Sequence, residues 1–81
     1  MAWYRYYWSN EPCGNIQKVE EHGLSIDDFE FVFENCESEE LSRSSHRLIR
    51  FGYTADGRYI AAVFEWDEVD VTVIPVTAYE V

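Results

Sequence analysis

Apolar and polar positions alternate through much of Arg47–Val81, a pattern that predicts β-strands with one face on a core. The dipeptide Asp56-Gly57 divides this segment. It favours a two-residue hairpin turn, because such a turn needs residues that tolerate positive φ. With these residues at the tip, Tyr53 faces Ile60. One face of the predicted hairpin is then almost wholly apolar, and we expect it to pack on the core: Ile49, Phe51, Tyr53, Ile60, Ala62, Phe64 and Trp66.

A third strand is predicted after a turn around Asp67-Glu68, so that the three strands form an antiparallel meander. Its valines extend the apolar face: Val69, Val71 and Val73. Arg50 and Asp70 then lie on the second, more polar face, and a slip of one residue would bury both. Pro75 has no N–H to give to the ladder, which is typical of a strand end or a sheet edge.

The N-terminal half predicts two short helices. The first begins near Asn15 and ends at Gly23. The second has Ser25 as its N-cap, with Asp28 three residues further on as in a capping box. Its apolar residues recur at intervals of three and four: Ile26, Phe29, Val32, Phe33 and Cys36. We expect the acidic residues between them to face solvent: Asp27, Asp28, Glu30 and Glu34.

Two further segments complete the prediction. The aromatic run Trp3–Trp8 favours a first strand, either packed on the core or serving as a stacking platform for bases. Glu37–His46 is polar and without periodicity, which indicates a surface loop. The fold class is therefore α+β over a single domain, residues 1–81. It consists of a strand, two short helices and a three-stranded antiparallel meander, with the helices packed on one face of the sheet.

Charge restricts the classes of partner. Sixteen acidic residues against six basic ones give a formal net charge of −10. Such a field disfavours binding to RNA and DNA, for which Lys and Arg supply most of the affinity. It serves either solubility or attraction to a basic protein partner. The chain has no apolar run near 18 residues and no signal-peptide pattern, so we expect a soluble, cytoplasmic protein without a membrane partner.

Residues that could carry chemistry are few. Cys13 and Cys36 lack zinc-site spacing with His22 and His46, which favours free thiols, or a disulfide if the chain is exported. The common catalytic and cofactor motifs are absent, so no metal and no cofactor is predicted. His46 is the better acid–base candidate of the two histidines, because it could reach the edge of the sheet. His22, at a helix end, fits an interaction with the helix dipole.

Arg50 is the basic residue that the predicted register places on the second face. It lies across from Val63, with the small residues Gly52 and Ala61 in the next row. This arrangement favours either a shallow anion site or an exposed salt bridge to Glu65 or Asp70.

The order of elements and several short strings resemble one known family. The strings are Trp8, His22-Gly23-Leu24-Ser25, Phe29–Phe33, Arg47–Gly52, Gly57-Arg58 and Val71–Ile74. They are similar to BrnT-like toxins, members of the RelE-like ribonuclease fold. The resemblance implies a small metal-independent ribonuclease that is neutralised by an antitoxin. By position it assigns catalytic roles to Arg47, Arg58 and Tyr79, with Arg50 and His46 as further site candidates.

The chain departs from the family where a final arginine is expected. Pro75-Val76-Thr77 stands where those sequences carry Ser-Ala-Arg. RNA cleavage requires preorganised cations around the phosphate. Three hypotheses therefore remain: a non-catalytic or weakly active interaction domain with a basic partner or antitoxin, an active ribonuclease toxin, and a domain that binds a small anion at Arg50.

Overall fold

The computed structural model describes residues 4–42 and 47–81 and shows an α+β fold. Its elements are β1 (Arg5–Tyr6), α1 (Asn15–Glu20), α2 (Ile26–Glu34), β2 (Ser38–Leu41), β3 (Leu48–Tyr53), β4 (Tyr59–Asp67) and β5 (Thr72–Glu80). The strands form one mixed sheet of order β1-β5-β4-β3-β2, in which β1 runs parallel to β5 and the other pairs are antiparallel. The predicted meander agrees with the structure in part: β3, β4 and β5 are consecutive antiparallel strands, but their registers differ from the prediction and they form the centre of a five-stranded sheet.

Strand β2 lies inside the segment that was predicted to be a surface loop. Ser38 pairs with Phe51 and Glu39 with Arg50 along the edge of the sheet. All four residues of β2 are exposed. A strand exposed on both sides needs no alternation of apolar and polar residues, so periodicity gives no signal for it. Residues 43–46 of the predicted loop lie outside the described residues.

The β3–β4 hairpin has a three-residue loop, and the two-residue turn predicted at Asp56-Gly57 is wrong. The N–H of Thr54 donates to the carbonyl of Arg58 at 2.8 Å, and the N–H of Arg58 donates to Thr54 Oγ1 at 3.0 Å. These bonds close the loop around residues 55–57. Only Gly57, with φ of 90°, has the left-handed conformation, whereas a type I′ turn would need it at Asp56 as well.

One extra loop residue shifts β3 by one position relative to β4, and the predicted faces of β3 are therefore exchanged. Phe51 pairs with Ala61, and Gly52 pairs with Ile60. Arg50 and Gly52 consequently lie on the side that α2 covers. A Cβ atom at Gly52 would contact Val32 of α2 and the backbone of Cys36. The side of the sheet away from the helices, here called the outer face, carries Ile49, Phe51, Tyr53, Tyr59, Ala61, Val63, Ile74, Thr77 and Tyr79.

The β4–β5 connection also lies further along the chain than predicted. Strand β4 continues to Asp67, whose carboxylate accepts the N–H groups of Val69 and Asp70. Val69 and Val71 are therefore exposed in the turn, and their prediction as core residues is wrong. Val73 is buried, as predicted. Pro75 is accommodated inside β5 because it lies beside an irregularity in the β4 pairing and beyond the two residues that β1 covers.

The core lies between the two helices and the inner face of the sheet. Ser25 and Asp28 form the predicted capping box at the start of α2. The buried hydrophobic residues of this core come from β4, β5 and both helical regions: Val19, Leu24, Phe29, Val32, Phe33, Ile60, Ala62, Phe64, Val73 and Ala78. Tyr4, Tyr6 and Trp8 pack against it, which agrees with the packing interpretation of the aromatic run.

Two acidic residues of α2 anchor this aromatic segment. Glu34 is exposed, as predicted, whereas Glu30 is half-buried, and both accept a hydrogen bond from an aromatic side chain. Trp8 Nε1 donates to Glu30 at 2.9 Å, and the Tyr6 hydroxyl donates to Glu34 at 2.9 Å. Burial, together with the bond to Glu34, raises the pKa of Tyr6 well above its usual value. The carboxylates at i and i+4 thus tie the first strand to one side of the helix.

The first prediction concerns Gly52, where β3 and the end of α2 meet most closely. A Cβ built on Gly52 would lie 3.2 Å from the Cα of Cys36 and 3.4 Å from Val32 Cγ1. We therefore expect Gly52→Ala to lower the free energy of unfolding by about 1–3 kcal/mol through overpacking. Ser38→Ala, on the exposed strand β2, should change it by less than about 0.5 kcal/mol. Equal urea midpoints for both variants would contradict the close contact.

The second prediction concerns pH and the hairpin loop. The Thr54 hydroxyl donates to Asp56, and the Arg58 guanidinium lies 3.0 Å from the same carboxylate; both lower the pKa of Asp56. A lowered folded-state pKa adds stability that is present above the unfolded pKa of about 3.9 and is lost as pH falls through the folded pKa.

An NMR titration of the Asp56 carboxyl should give a midpoint below that unfolded value. Thr54→Val removes the hydroxyl whose hydrogen bond contributes most to the lowered pKa of Asp56, so it should raise the midpoint, whereas Thr54→Ser keeps a hydroxyl and should leave it low. A midpoint that is the same in all three proteins would contradict the role of Thr54.

Candidate functional site

The structure separates the residues that the sequence assigned to one catalytic site. Arg50 lies on β3 facing α2, whereas Arg47 pairs with Glu65 on the outer-face side. Arg58 follows the hairpin loop opposite Thr54, about 13 Å along the strand direction from Arg50. Tyr79 lies on β5 opposite Ala61. His46 lies outside the described residues. Four of the five candidates therefore occupy different parts of the sheet.

Each of the three predicted arginines is held by a carboxylate. Arg47 Nε lies 3.6 Å from Glu65 Oε2. Arg58 forms ion pairs with Asp28 at 3.1 Å and with Asp56 at 3.0 Å, and it also donates to the carbonyl of Gly23 at 2.8 Å. Arg58 therefore joins the hairpin loop to the segment that leads into α2. Its guanidinium is a structural connection between two parts of the backbone.

Arg50 is the most constrained of the three. Its Nε lies 2.5 Å from Glu39 Oε2, and its Nη1 donates to the carbonyl of Phe33 at 2.7 Å. The guanidinium carbon also lies 4.0 Å from the centroid of the Phe33 ring. Burial lowers the pKa of Arg50, but the hydrogen bond and charge of Glu39 outweigh it, and the net shift is upward.

The predicted partners of Arg50 were wrong because the predicted register was wrong. Glu65 lies on the outer face and Asp70 in the β4–β5 turn, so neither is the residue that binds Arg50. Glu39 is its partner because β2 places this residue directly opposite Arg50 in the ladder. Sequence analysis missed Glu39, since its segment had no periodic signal. The Glu-rich composition of that segment was the one hint of a partner for a cation.

A cleft of about 260 Å³ opens beside Arg50, at the end of the inner face. Its lining residues are Tyr4, Phe33, Glu39, Leu48, Arg50, Phe64 and Trp66. Aromatic rings form most of the wall, and the Arg50–Glu39 pair supplies its charged part. Because Arg50 already binds a carboxylate and a carbonyl, the cleft offers little free positive charge to an anion. Of the described residues that line it, Tyr4 alone brings a hydroxyl group.

The outer face is the second candidate surface. Tyr53 and Tyr59 pair directly, and in the next row Phe51, Ala61 and Tyr79 lie side by side. The rings of Tyr53 and Tyr59 are 4.8 Å apart in an edge-to-face arrangement. Neither helix lies on this face, because the core residues of both helices pack on the opposite side of the sheet. The sequence showed this aromatic alternation, but the predicted register assigned it to the core.

The remaining candidates form no catalytic arrangement. The ring of His22 lies 6.3 Å from that of Tyr79, just after the end of α1. Cys13 and Cys36 are not bonded to each other. In residues 4–42 and 47–81, no three His, Cys, Asp or Glu side chains lie close enough to hold a metal ion. No helix in these ranges is long and apolar enough to span a membrane.

Comparison with known proteins returned no relative. No family model matches the chain, and neither a curated protein nor a solved structure matches it. The functional interpretation therefore depends on the geometry of these surfaces.

The third prediction compares the coupling energies of two ion pairs, Arg50–Glu39 and Arg47–Glu65. The Arg50–Glu39 pair is closer and less exposed than the Arg47–Glu65 pair, with the arginine side chains 22% and 41% exposed. A double-mutant cycle with Arg50→Met and Glu39→Gln should give a coupling energy of about 1 kcal/mol.

The matched cycle with Arg47→Met and Glu65→Gln should give less than about 0.5 kcal/mol, because exposed pairs are screened by solvent. Coupling energies measured by urea unfolding check both values. Equal coupling in the two cycles would show that Arg50 is not the better-held cation.

Proposed function

We propose that this chain is a non-catalytic protein-interaction domain that binds a basic protein partner, an antitoxin-like protein being one such partner. The observation that carries the proposal is that Arg47, Arg50 and Arg58 each bind a carboxylate of the same chain. Arginines that are paired within the chain connect its own elements. They are not free to gather around a scissile phosphate, as RNA cleavage requires.

The charge of the whole chain supports the same proposal. A formal charge of −10 repels RNA and attracts basic surfaces, and it raises the rate at which such partners associate. The aromatic outer face adds the residue types that are enriched in protein interfaces, tyrosine and phenylalanine. Charge thus favours the encounter, and apolar contact area favours a complex that persists.

We retain the resemblance to BrnT-like toxins of the RelE-like fold as a proposal about ancestry. The resemblance rests on the order of the elements and on short strings such as Arg47–Gly52. In this proposal the chain has kept an interaction with a neighbouring gene product and lost the ribonuclease site, with Thr77 in place of the last arginine. A cytoplasmic location belongs to the same proposal. The active ribonuclease toxin is the alternative.

The fourth prediction distinguishes the non-catalytic interaction domain from the active ribonuclease toxin. The purified chain, incubated at low salt with single-stranded RNA, should leave the RNA intact, and its expression should not arrest growth. Glu65→Gln, which releases Arg47, should not change either result, because Arg50 and Arg58 stay paired. RNA cleavage that Arg47→Ala abolishes would overturn the proposal in favour of the ribonuclease.

The same proposal is tested by co-expression with the protein encoded by the adjacent gene. A complex should form at about 50 mM salt and weaken at least about tenfold at about 500 mM, because ionic screening shortens the reach of the negative field. A complex that does not form at either salt concentration, or one that is insensitive to salt, would contradict a basic partner bound through charge.

A further inference from the structure

The outer face has the shape of a shallow trough along β4. Ala61 and Val63 form its floor, and both are buried although no described helix lies over them. They are covered from the sides, because Phe51 and Tyr79 flank Ala61 in one row while Ile49 and Thr77 flank Val63 in the next. Small residues on the central strand between larger residues on its neighbours make the surface concave.

Aromatic rings form the wall of this trough on the β3 side and at the hairpin end. Phe51 and Tyr59 lie nearly parallel with their centroids 6.4 Å apart, and Tyr53 meets Tyr59 edge to face. Tyr53 remains 51% exposed. These rings support one another in fixed orientations, so a partner would meet a preorganised surface and lose little affinity to ordering it.

The charged side chains that flank the trough from β2 and β4 are acidic. Among the described residues of the outer face, the rows from Tyr53–Tyr59 to Ile49–Val63 contain no basic side chain. Glu40 lies opposite Ile49 at the β2 edge, and Glu65 follows Val63 by two residues on the same side of β4. Arg47, which pairs with Glu65, lies past the last of these rows. A second copy of the chain would bring another charge of −10 onto this surface and would be repelled.

We infer that the trough binds a segment of a basic protein partner that presents alternating cationic and apolar side chains. The aliphatic parts of its arginines or lysines would lie across Phe51, Tyr53 and Tyr59, where cation–π attraction adds to apolar contact. Their charged ends would reach Glu40 and Glu65. This inference rests on the proposed function, because it names the surface and the chemistry through which the interaction domain binds.

The fifth prediction uses a defined probe, a short synthetic peptide of alternating arginine and leucine, added to the ¹⁵N-labelled full chain. The largest amide shifts should fall in β3, β4 and β5 at outer-face residues. Tyr53→Ser and Tyr79→Ser should each weaken peptide binding by about fivefold to tenfold, since both side chains are exposed aromatic contacts. A twin peptide with glutamate in place of arginine should not bind.

Matched controls separate this surface from general attraction to an acidic protein. Phe31→Ser removes an exposed aromatic residue from α2, on the other side of the sheet, and should leave binding unchanged. Glu40→Gln and Glu11→Gln change the net charge equally, but Glu40→Gln alone should weaken binding severalfold, because Glu11 lies in the turn before α1. Unchanged dispersion of the amide spectra confirms that every variant is folded.

Several outcomes would overturn the inference. The largest amide shifts could fall on α2 or around the Arg50 cleft, or the glutamate peptide could bind as tightly as the arginine peptide. Glu11→Gln could also weaken binding as much as Glu40→Gln, or Phe31→Ser as much as Tyr53→Ser. Self-association in sedimentation that Tyr53→Ser abolishes would assign the trough to a second copy instead. If the partner encoded by the adjacent gene binds Tyr53→Ser and Tyr79→Ser as tightly as the parent chain, the proposed function stands and this inference fails.

Discussion

The hydrogen bonds between Thr54 and Arg58 set the register on which most of this structure depends. They close a three-residue hairpin loop in which Gly57 alone has positive φ. Since successive side chains of a strand point to opposite faces, this one extra loop residue decides which half of β3 faces α2. Gly52 and Arg50 face the helix, and Phe51 and Tyr53 face outward. Arg58 reinforces the loop through its bonds to Asp56 and Asp28.

The position of Arg50 follows from this register and accounts for strand β2. A guanidinium beneath a helix requires partners for its donors and its charge. The carbonyl of Phe33 supplies one acceptor, and Glu39 supplies the carboxylate because β2 pairs with β3 in the register that places it there. The pair lies at the mouth of an aromatic cleft and is partly exposed, so its charges are not fully removed from water. Strand β2 therefore supplies the carboxylate that the half-buried Arg50 needs.

The distribution of charge and aromatic surface joins these local features to function. Three of the six basic residues connect elements of the chain: Arg50 joins β3 to β2, Arg58 joins the hairpin loop to α2, and Arg47, just before β3, pairs with Glu65 of β4. Most carboxylates remain on the surface, and the sheet presents aromatic residues on the side away from the helices. A surface of this kind provides apolar contact area within a negative field, which is suited to a basic protein and poorly suited to RNA.

The sequence by itself determined the α+β class, the capping box and apolar stripe of α2, the three consecutive antiparallel strands and the core positions Ile60, Ala62 and Phe64 of β4, although Trp66, predicted with them, is exposed. These features follow from local periodicity and from short-range capping chemistry, which are visible in consecutive residues. Tertiary structure decided the faces of β3, the existence of β2 and the partners of Arg50, Glu30 and Glu34. Ile49, Phe51 and Tyr53 make one face of β3 the more apolar, so its pattern favours the register that the structure does not adopt. The choice depends on the hairpin loop, in which Asp56 lacks the positive φ that a two-residue turn would need. The partners lie far apart in the chain, and only the folded sheet brings them within hydrogen-bond distance.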